Sequence, residues 1–295
     1  MSEDYTIEEG RWGKILVARS GWDNRFFETI SSQDIRELEL NYAKGFVGKD
    51  LSFLQHLPFL RVLLLTHRTI EDISPIHHLR NLIVLEVNTY CRTQIDFSRF
   101  TLLEECVLEW RPKATSLFNC TMLRKLFLNS YTGKSTDSFA ALVNLEYLGL
   151  ANASVVDLKG LSTLRALRFL GLYNPKKLES LIGIEPLSSL EHLEVNGCKR
   201  MRSIEPVAEL TQLKNLHFCD DGHIESLRPI ANLNKLEEVL FYGSTNILDG
   251  DLSPLIDLPH LRKVSFEERL HYSLSRSEIQ ERAQGYDRLD DQNAL

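Results

Sequence analysis

Aliphatic residues return along this chain at a nearly fixed interval. In Leu190–Leu213, Leu190, Leu193 and Val195 have the spacing L-x-x-L-x-L. Cys198, Met201 and Ile204 follow at three-residue steps, then Pro206, Val207 and Leu210, and Leu213 starts the opening again. Openings in the same register begin at Ile35, Leu60, Leu82, Leu103, Leu123, Leu145, Leu167, Leu190, Leu213, Leu236 and Leu261, at steps of 20 to 25 residues. The L-x-L part alternates with period two and predicts a short strand. A second signal precedes many openings by seven residues: Pro75, Gly160, Gly183, Pro206, Pro229 or Pro254, each followed by an aliphatic residue. Proline there suits the first turn of a short helix, where its missing N–H would have no partner anyway.

Each unit therefore predicts a strand, a climbing loop, a short 3₁₀ or α turn, and a return. One such unit buries too little apolar surface to offset the entropy of ordering it, so the units must stack and pair their strands in a parallel sheet. The many in-phase copies resemble the leucine-rich repeat, and phrases such as DISPIHHL and SIEPVAEL resemble its bacterial internalin-type subclass of about 22 residues per unit. That resemblance implies an α/β solenoid, a curved right-handed superhelix with a parallel sheet on its concave face and 3₁₀ or α turns on its convex face. It also implies an asparagine eight residues after each opening. These positions hold Ala43, Arg68, Tyr90, Arg111, Tyr131, Ala153, Pro175, Cys198, Asp221 and Ser244, so only Cys198 and Asp221 come near the pattern.

The chain divides on this basis into an N-terminal cap over 1–34, about eleven repeats over 35–266, and a C-terminal cap with a disordered tail over 267–295. In the cap, GRWGKILVARSG predicts a strand and FFETISSQ a short helix. The units from Leu82 to Asn144 put Asp96, Ser116 and Ser138 where others have Pro or Gly, and their turns are expected to differ.

Strand alternation places the residues two, four and six after each opening on the exposed face of the sheet, in three rows. Near the middle, Gly149 and Gly171 sit side by side, flanked by Tyr147, Phe169 and Tyr173, with Phe127 one strand before. Small residues between rings predict a shallow pit, and rings on a nominally wet face are typical interface anchors. His192, Glu194, His217, Tyr242, Trp110 and Glu109 surround them. The alternative is that the rings lie flat and cover the sheet, with glycine chosen so that they fit. A second cluster, Val62, Leu64, Val84 and Val107, is either a further contact zone or is covered by the N-terminal segment. Glu86, Glu105, Glu109, Glu194 and Glu238 favour a partner with a basic surface.

Composition narrows the function classes. A net charge of −7, from 34 basic and 41 acidic residues, makes a nucleic-acid partner unlikely on electrostatic grounds. Lys176, Lys177, Lys199, Arg200 and Arg202 make one loop edge basic, most simply for solubility. Five dispersed cysteines without C-x-x-C, an acidic N-terminus without an apolar signal core, and no long apolar run predict a cytoplasmic protein, off the membrane. Exported internalins carry a signal peptide, and this chain departs from them there. The chemistry is sparse. Glu194, His217, His192 and Cys219 could form a nucleophile set or a weak metal site, but they sit on an open sheet without oxyanion donors. The expectation is a non-enzymatic protein-interaction module with no cofactor and no metal, binding another protein on the concave sheet. The alternative is a small-molecule-binding or hydrolytic protein using the Tyr147/Phe169/Gly171 pit or the Glu194–His217 pair.

Overall fold

The computed structural model describes residues 4–111 and 113–281. They fall into two compact units, residues 1–128 and 129–295. Of the C-terminal cap and disordered tail expected over 267–295, residues 282–295 lie outside the described residues.

In the first unit, β1 (Tyr5–Glu9) and β2 (Lys14–Ala18) form an antiparallel hairpin, and α1 (Arg25–Ser32) follows. Parallel pairing then runs from β2 through β3 (Glu37–Asn41), β4 (Val62–His67) and β5 (Val84–Thr89) to β6 (Glu105–Glu109). Glu104 O accepts from the N–H groups of Arg124 and Lys125, which bring in β7 (Lys125–Asn129). The strand predicted in GRWGKILVARSG is β2 and the predicted helix is α1. β1 has no counterpart in the period and lies on the sheet's outer edge.

The second unit contains β8 (Tyr147–Ala151), β9 (Phe169–Tyr173), β10 (His192–Asn196), β11 (Asn215–Cys219), β12 (His223–Ile224), β13 (Glu238–Phe241), β14 (Asn246–Ile247) and β15 (Lys263–Phe266). β8, β9, β10, β11, β13 and β15 form one parallel run, and β12 pairs with β14 beside it. Register sets the core. Leu148, Leu170, Leu193, Leu216, Val239 and Val264 are direct neighbours and all are buried. Towards the end of this unit Phe218, Phe241 and Phe266 stack face to face inside, at 5.5 and 4.8 Å between centroids. The parity read from the repeat is therefore right: Leu193 and Leu216 face inward while Glu194 and His217 do not.

Short 3₁₀ turns return the chain. Pro75, Pro206, Pro229 and Pro254 each sit in the first turn of one. The turns around Asp96, Ser116 and Ser138 do not differ in kind: they are 3₁₀ turns over Phe97–Arg99, Thr115–Asn119 and Asp137–Ala141. Asp96 replaces the proline by capping, its carboxylate accepting from the Ser98 N–H at 3.1 Å.

The loops after the strands solve their hydrogen bonding one position earlier than the asparagine pattern implies. Seven residues after the openings from Leu123 to Leu236, Ser130, Asn152, Asn174, Gly197, Asp220 and Gly243 all have left-handed backbone. The N–H groups of Ser130, Asn152, Asn174, Gly197 and Asp220 each donate to a carbonyl of the next strand's last turn, at 2.6 to 3.1 Å. Asn174 Nδ2 also donates to Asn152 Oδ1 at 2.9 Å, and Asn152 Nδ2 to Asn129 Oδ1 at 2.8 Å. Asn, Asp and Gly tolerate this conformation best, which is why they recur there.

In the first unit, part of the exposed sheet face is covered. The turn between β1 and β2 bends over it, and the N–H groups of Arg11 and Trp12 donate to the two Glu37 carboxylate oxygens at 2.9 and 2.8 Å. Arg11 reaches on to pair with Glu105 on β6. Beneath this arm Glu37, Val62 and Val84 are only 2%, 1% and 3% exposed. The Val62 and Val84 end of the apolar cluster is thus covered by the N-terminal segment. Trp12 itself remains 55% exposed at the tip.

Candidate functional site

The second unit keeps its exposed face open. Strands β8 to β10 carry Tyr147, Phe169 and His192 in one row, all half-buried. The Tyr147 and Phe169 rings stack at 4.3 Å and 7°, and His192 tilts against Phe169 at 6.3 Å. Parallel in-register strands force this row, because Tyr147 pairs with Phe169 and Phe169 with His192.

The middle row is not an empty pit. A Cβ on Gly171 would meet the Tyr173 ring and hydroxyl at 2.6 to 2.8 Å, so Tyr173 lies flat across Gly171. Glycine is needed there so that the ring can settle on the sheet, as the second reading of this patch expected. Its hydroxyl then reaches the next strand and donates to Glu194 Oε2 at 2.5 Å. Burial first, then Glu194, push the Tyr173 phenol above its ordinary range, so it stays a donor. Tyr147 is shifted in the same direction by burial and by the Glu194 charge.

The polar line continues across the strands. Glu194 Oε1 lies 3.7 Å from His217 Nδ1, and Glu238 Oε1 lies 2.9 Å from His217 Nε2. Despite the second distance, Nε2 makes no aligned hydrogen bond. Lys263 Nζ holds Glu238 from the far side at 3.1 Å. Among the described residues no lysine or arginine pairs with Glu194. Tyr242, 46% exposed, ends this stretch of the outer row.

Other predicted site residues belong to the first unit. Phe127 and Glu109 are half-buried on β7 and β6 in the first unit. Trp110 sits just beyond β6, with its ring 5.8 Å from Phe118 of a 3₁₀ turn, so it belongs to the loop edge rather than the sheet. The acidic set is not uniform either. Burial would raise Glu105, but Arg11 and then Lys125 hold it below its ordinary value. Glu86 is raised by burial and by Glu39.

Catalytic chemistry finds little support in these contacts. The Cys219 thiol is 5% exposed and is pushed up by burial, the reverse of an activated nucleophile. No group of three or more His, Cys, Asp or Glu among the described residues could hold a metal. No described helix is long and apolar enough to cross a membrane. Sequence reasoning missed the arm at 10–13 and the Lys263 brace on Glu238. Gly10, whose missing Cβ lets the turn approach Glu37, is a trace of the arm in the sequence.

Comparison with solved structures supports the architecture. An internalin from Listeria monocytogenes aligns over 76% of this chain and 67% of its own, with 23% identity and a TM-score of 0.62. A leucine-rich-repeat protein from Leptospira interrogans aligns over 88% of this chain and 73% of its own, with 16% identity and a TM-score of 0.55. No family model and no curated protein matches the sequence. The chain has the leucine-rich-repeat fold, in keeping with the periodicity of its sequence.

Proposed function

We propose that this protein is a non-enzymatic interaction module whose second unit binds a partner protein on its open, concave sheet face. The observation that carries the reading is the contrast between the exposed faces of the two units. In the first, the arm covers Val62 and Val84; in the second, Tyr147, Phe169 and His192 stay half-exposed in a stacked row. The row stands on strands paired in register, and Tyr173 beside it is tied to Glu194. Rigid rings bind with little loss of side-chain entropy, which is why aromatic anchors dominate interfaces. Glu194 lies beside them without a cationic partner among the described residues, so the fitting partner presents lysine or arginine at that point. The five cysteines are unpaired, which suits a reducing, cytoplasmic setting.

Capture from lysate with wild-type protein, compared with Tyr147→Ala plus Phe169→Ala, tests the reading. Truncating true anchors costs about 2 kcal/mol or more each. The captured partner should therefore be lost, with the circular dichroism of the fold unchanged. Equal recovery by both proteins would refute this location.

A further inference from the structure

Cys91 and Arg111 meet in the loops of the first unit. Cys91 lies two residues beyond β5 and is half-buried; Arg111 lies two beyond β6 and is only 3% exposed. The guanidinium makes five contacts. Nη2 donates to Thr89 O at 3.4 Å, Thr89 Oγ1 at 3.2 Å and Glu109 O at 3.4 Å. Nη1 donates to Cys91 O and to Cys91 Sγ, both at 3.4 Å. Nε is buried with no partner.

The charge balance of this group is unusual. Arginine does not lose its proton in a protein, so a buried guanidinium needs a counter-charge or pays heavily for its desolvation. Among the described residues no carboxylate lies within ion-pair distance of Arg111. Of its five acceptors, three are carbonyl oxygens and one is a hydroxyl. The Cys91 sulfur alone can become an anion. The sulfur is also set for it: Thr89 Oγ1 lies 3.3 Å away and the Thr93 N–H points at it. The nearby Asp72 carboxylate is turned to Ser74 and to the Thr93 hydroxyl, leaving Arg111 as the charge that faces Cys91.

We propose that Cys91 is a modification site, its sulfur lying against the buried Arg111 guanidinium and reacting as the thiolate with hydroperoxides to give a sulfenic acid. The sulfur lone pair attacks one peroxide oxygen. The S–O bond forms, the O–O bond breaks, and hydroxide or alkoxide leaves to take a proton from water. Sulfur loses two electrons and the peroxide gains them. Burial would raise this thiol, but the Thr89 hydroxyl, the Thr93 N–H and the Arg111 charge together bring it below its ordinary value. The other four thiols go the other way: burial pushes Cys120 up to about 11 and Cys198 up to about 12, and it raises Cys106 and Cys219 too.

The test treats the full chain with hydrogen peroxide and dimedone and maps the adduct over all five cysteines. It also follows iodoacetamide labelling of Cys91 against pH. Cys91 should carry most of the dimedone, and its alkylation should level off below the ordinary cysteine pKa of about 8.5. Arg111→Met should slow both reactions near neutral pH and move the alkylation profile to higher pH. Thr89→Val, which leaves the buried charge in place but removes the hydroxyl that lowers this thiol most, should slow them in the same direction. If Arg111→Met does not fold, Thr89→Val and the wild-type pH profile decide. Adduct spread equally over Cys91 and Cys120, or an alkylation profile at or above the ordinary value, would overturn the proposal.

Discussion

Asp221 occupies the position where the repeat pattern implies asparagine, and it does the same local work. Its Oδ1 accepts from the Cys198 N–H at 2.5 Å, stitching one loop to the next. Its second oxygen has no partner, and the residue is fully buried. Burial is the main reason its carboxyl is pushed up to about 8; the Cys198 N–H opposes the shift and Asp220 adds to it. The linkage sign follows from a folded value above the ordinary 3.8. The fold binds the proton more tightly than the unfolded chain, so this contribution is complete below about pH 4 and is lost as pH rises through about 8. Asp221→Asn keeps the acceptor and removes the charge. Calorimetry should show the wild-type melting temperature falling from pH 5 to pH 9, and the variant falling by several degrees less. Parallel curves would mean that the carboxylate is solvated in solution.

At the scale of the element, two glycines separate backbone tolerance from side-chain tolerance. A Cβ at Gly160 would run into the backbone of Thr136 and Asp137, which cannot yield. Gly160→Ala should therefore destabilise by about 2 kcal/mol or more in urea unfolding, as overpacking of a buried site does. At Gly171 the obstacle is the movable Tyr173 ring. Gly171→Ala should cost less stability than Gly160→Ala, yet displace Tyr173 from Glu194. The N-terminal arm offers a third element to probe. Gly10→Val would place methyl groups against the Glu37 carboxylate and lift the turn. Hydrogen exchange at the Arg11 and Trp12 amides should speed up, and an apolar dye should bind over Val62 and Val84. Unchanged exchange would show that the arm is held by other contacts.

For the whole molecule, what the sequence disclosed follows from what repeats. Inward positions such as Leu193 and Leu216 recur in every copy, so parity and register were legible from spacing alone. The left-handed residue at position seven was legible in principle from Asn152, Asn174, Gly197 and Gly243, though Ser130 conceals it. Features made once were not legible. Strand alternation put Glu37 on the exposed face and left open whether Val62 and Val84 meet a partner or lie under the N-terminal segment, because nothing in the period announces an arm that returns over the sheet. Alternation likewise gives the side of Tyr173 but not the direction of its ring, so a pit was expected where the ring lies. Trp110 was placed around the aromatic patch, whereas its ring lies against Phe118 of a 3₁₀ turn.

The central claim is that the open face of the second unit, not its turn side, meets the partner. A photo-crosslinking residue placed at Phe169, and separately at the exposed Thr211 of a return turn, would test it directly. The account predicts a crosslinked partner from position 169 and none from position 211. Crosslinks from 211 alone would contradict it.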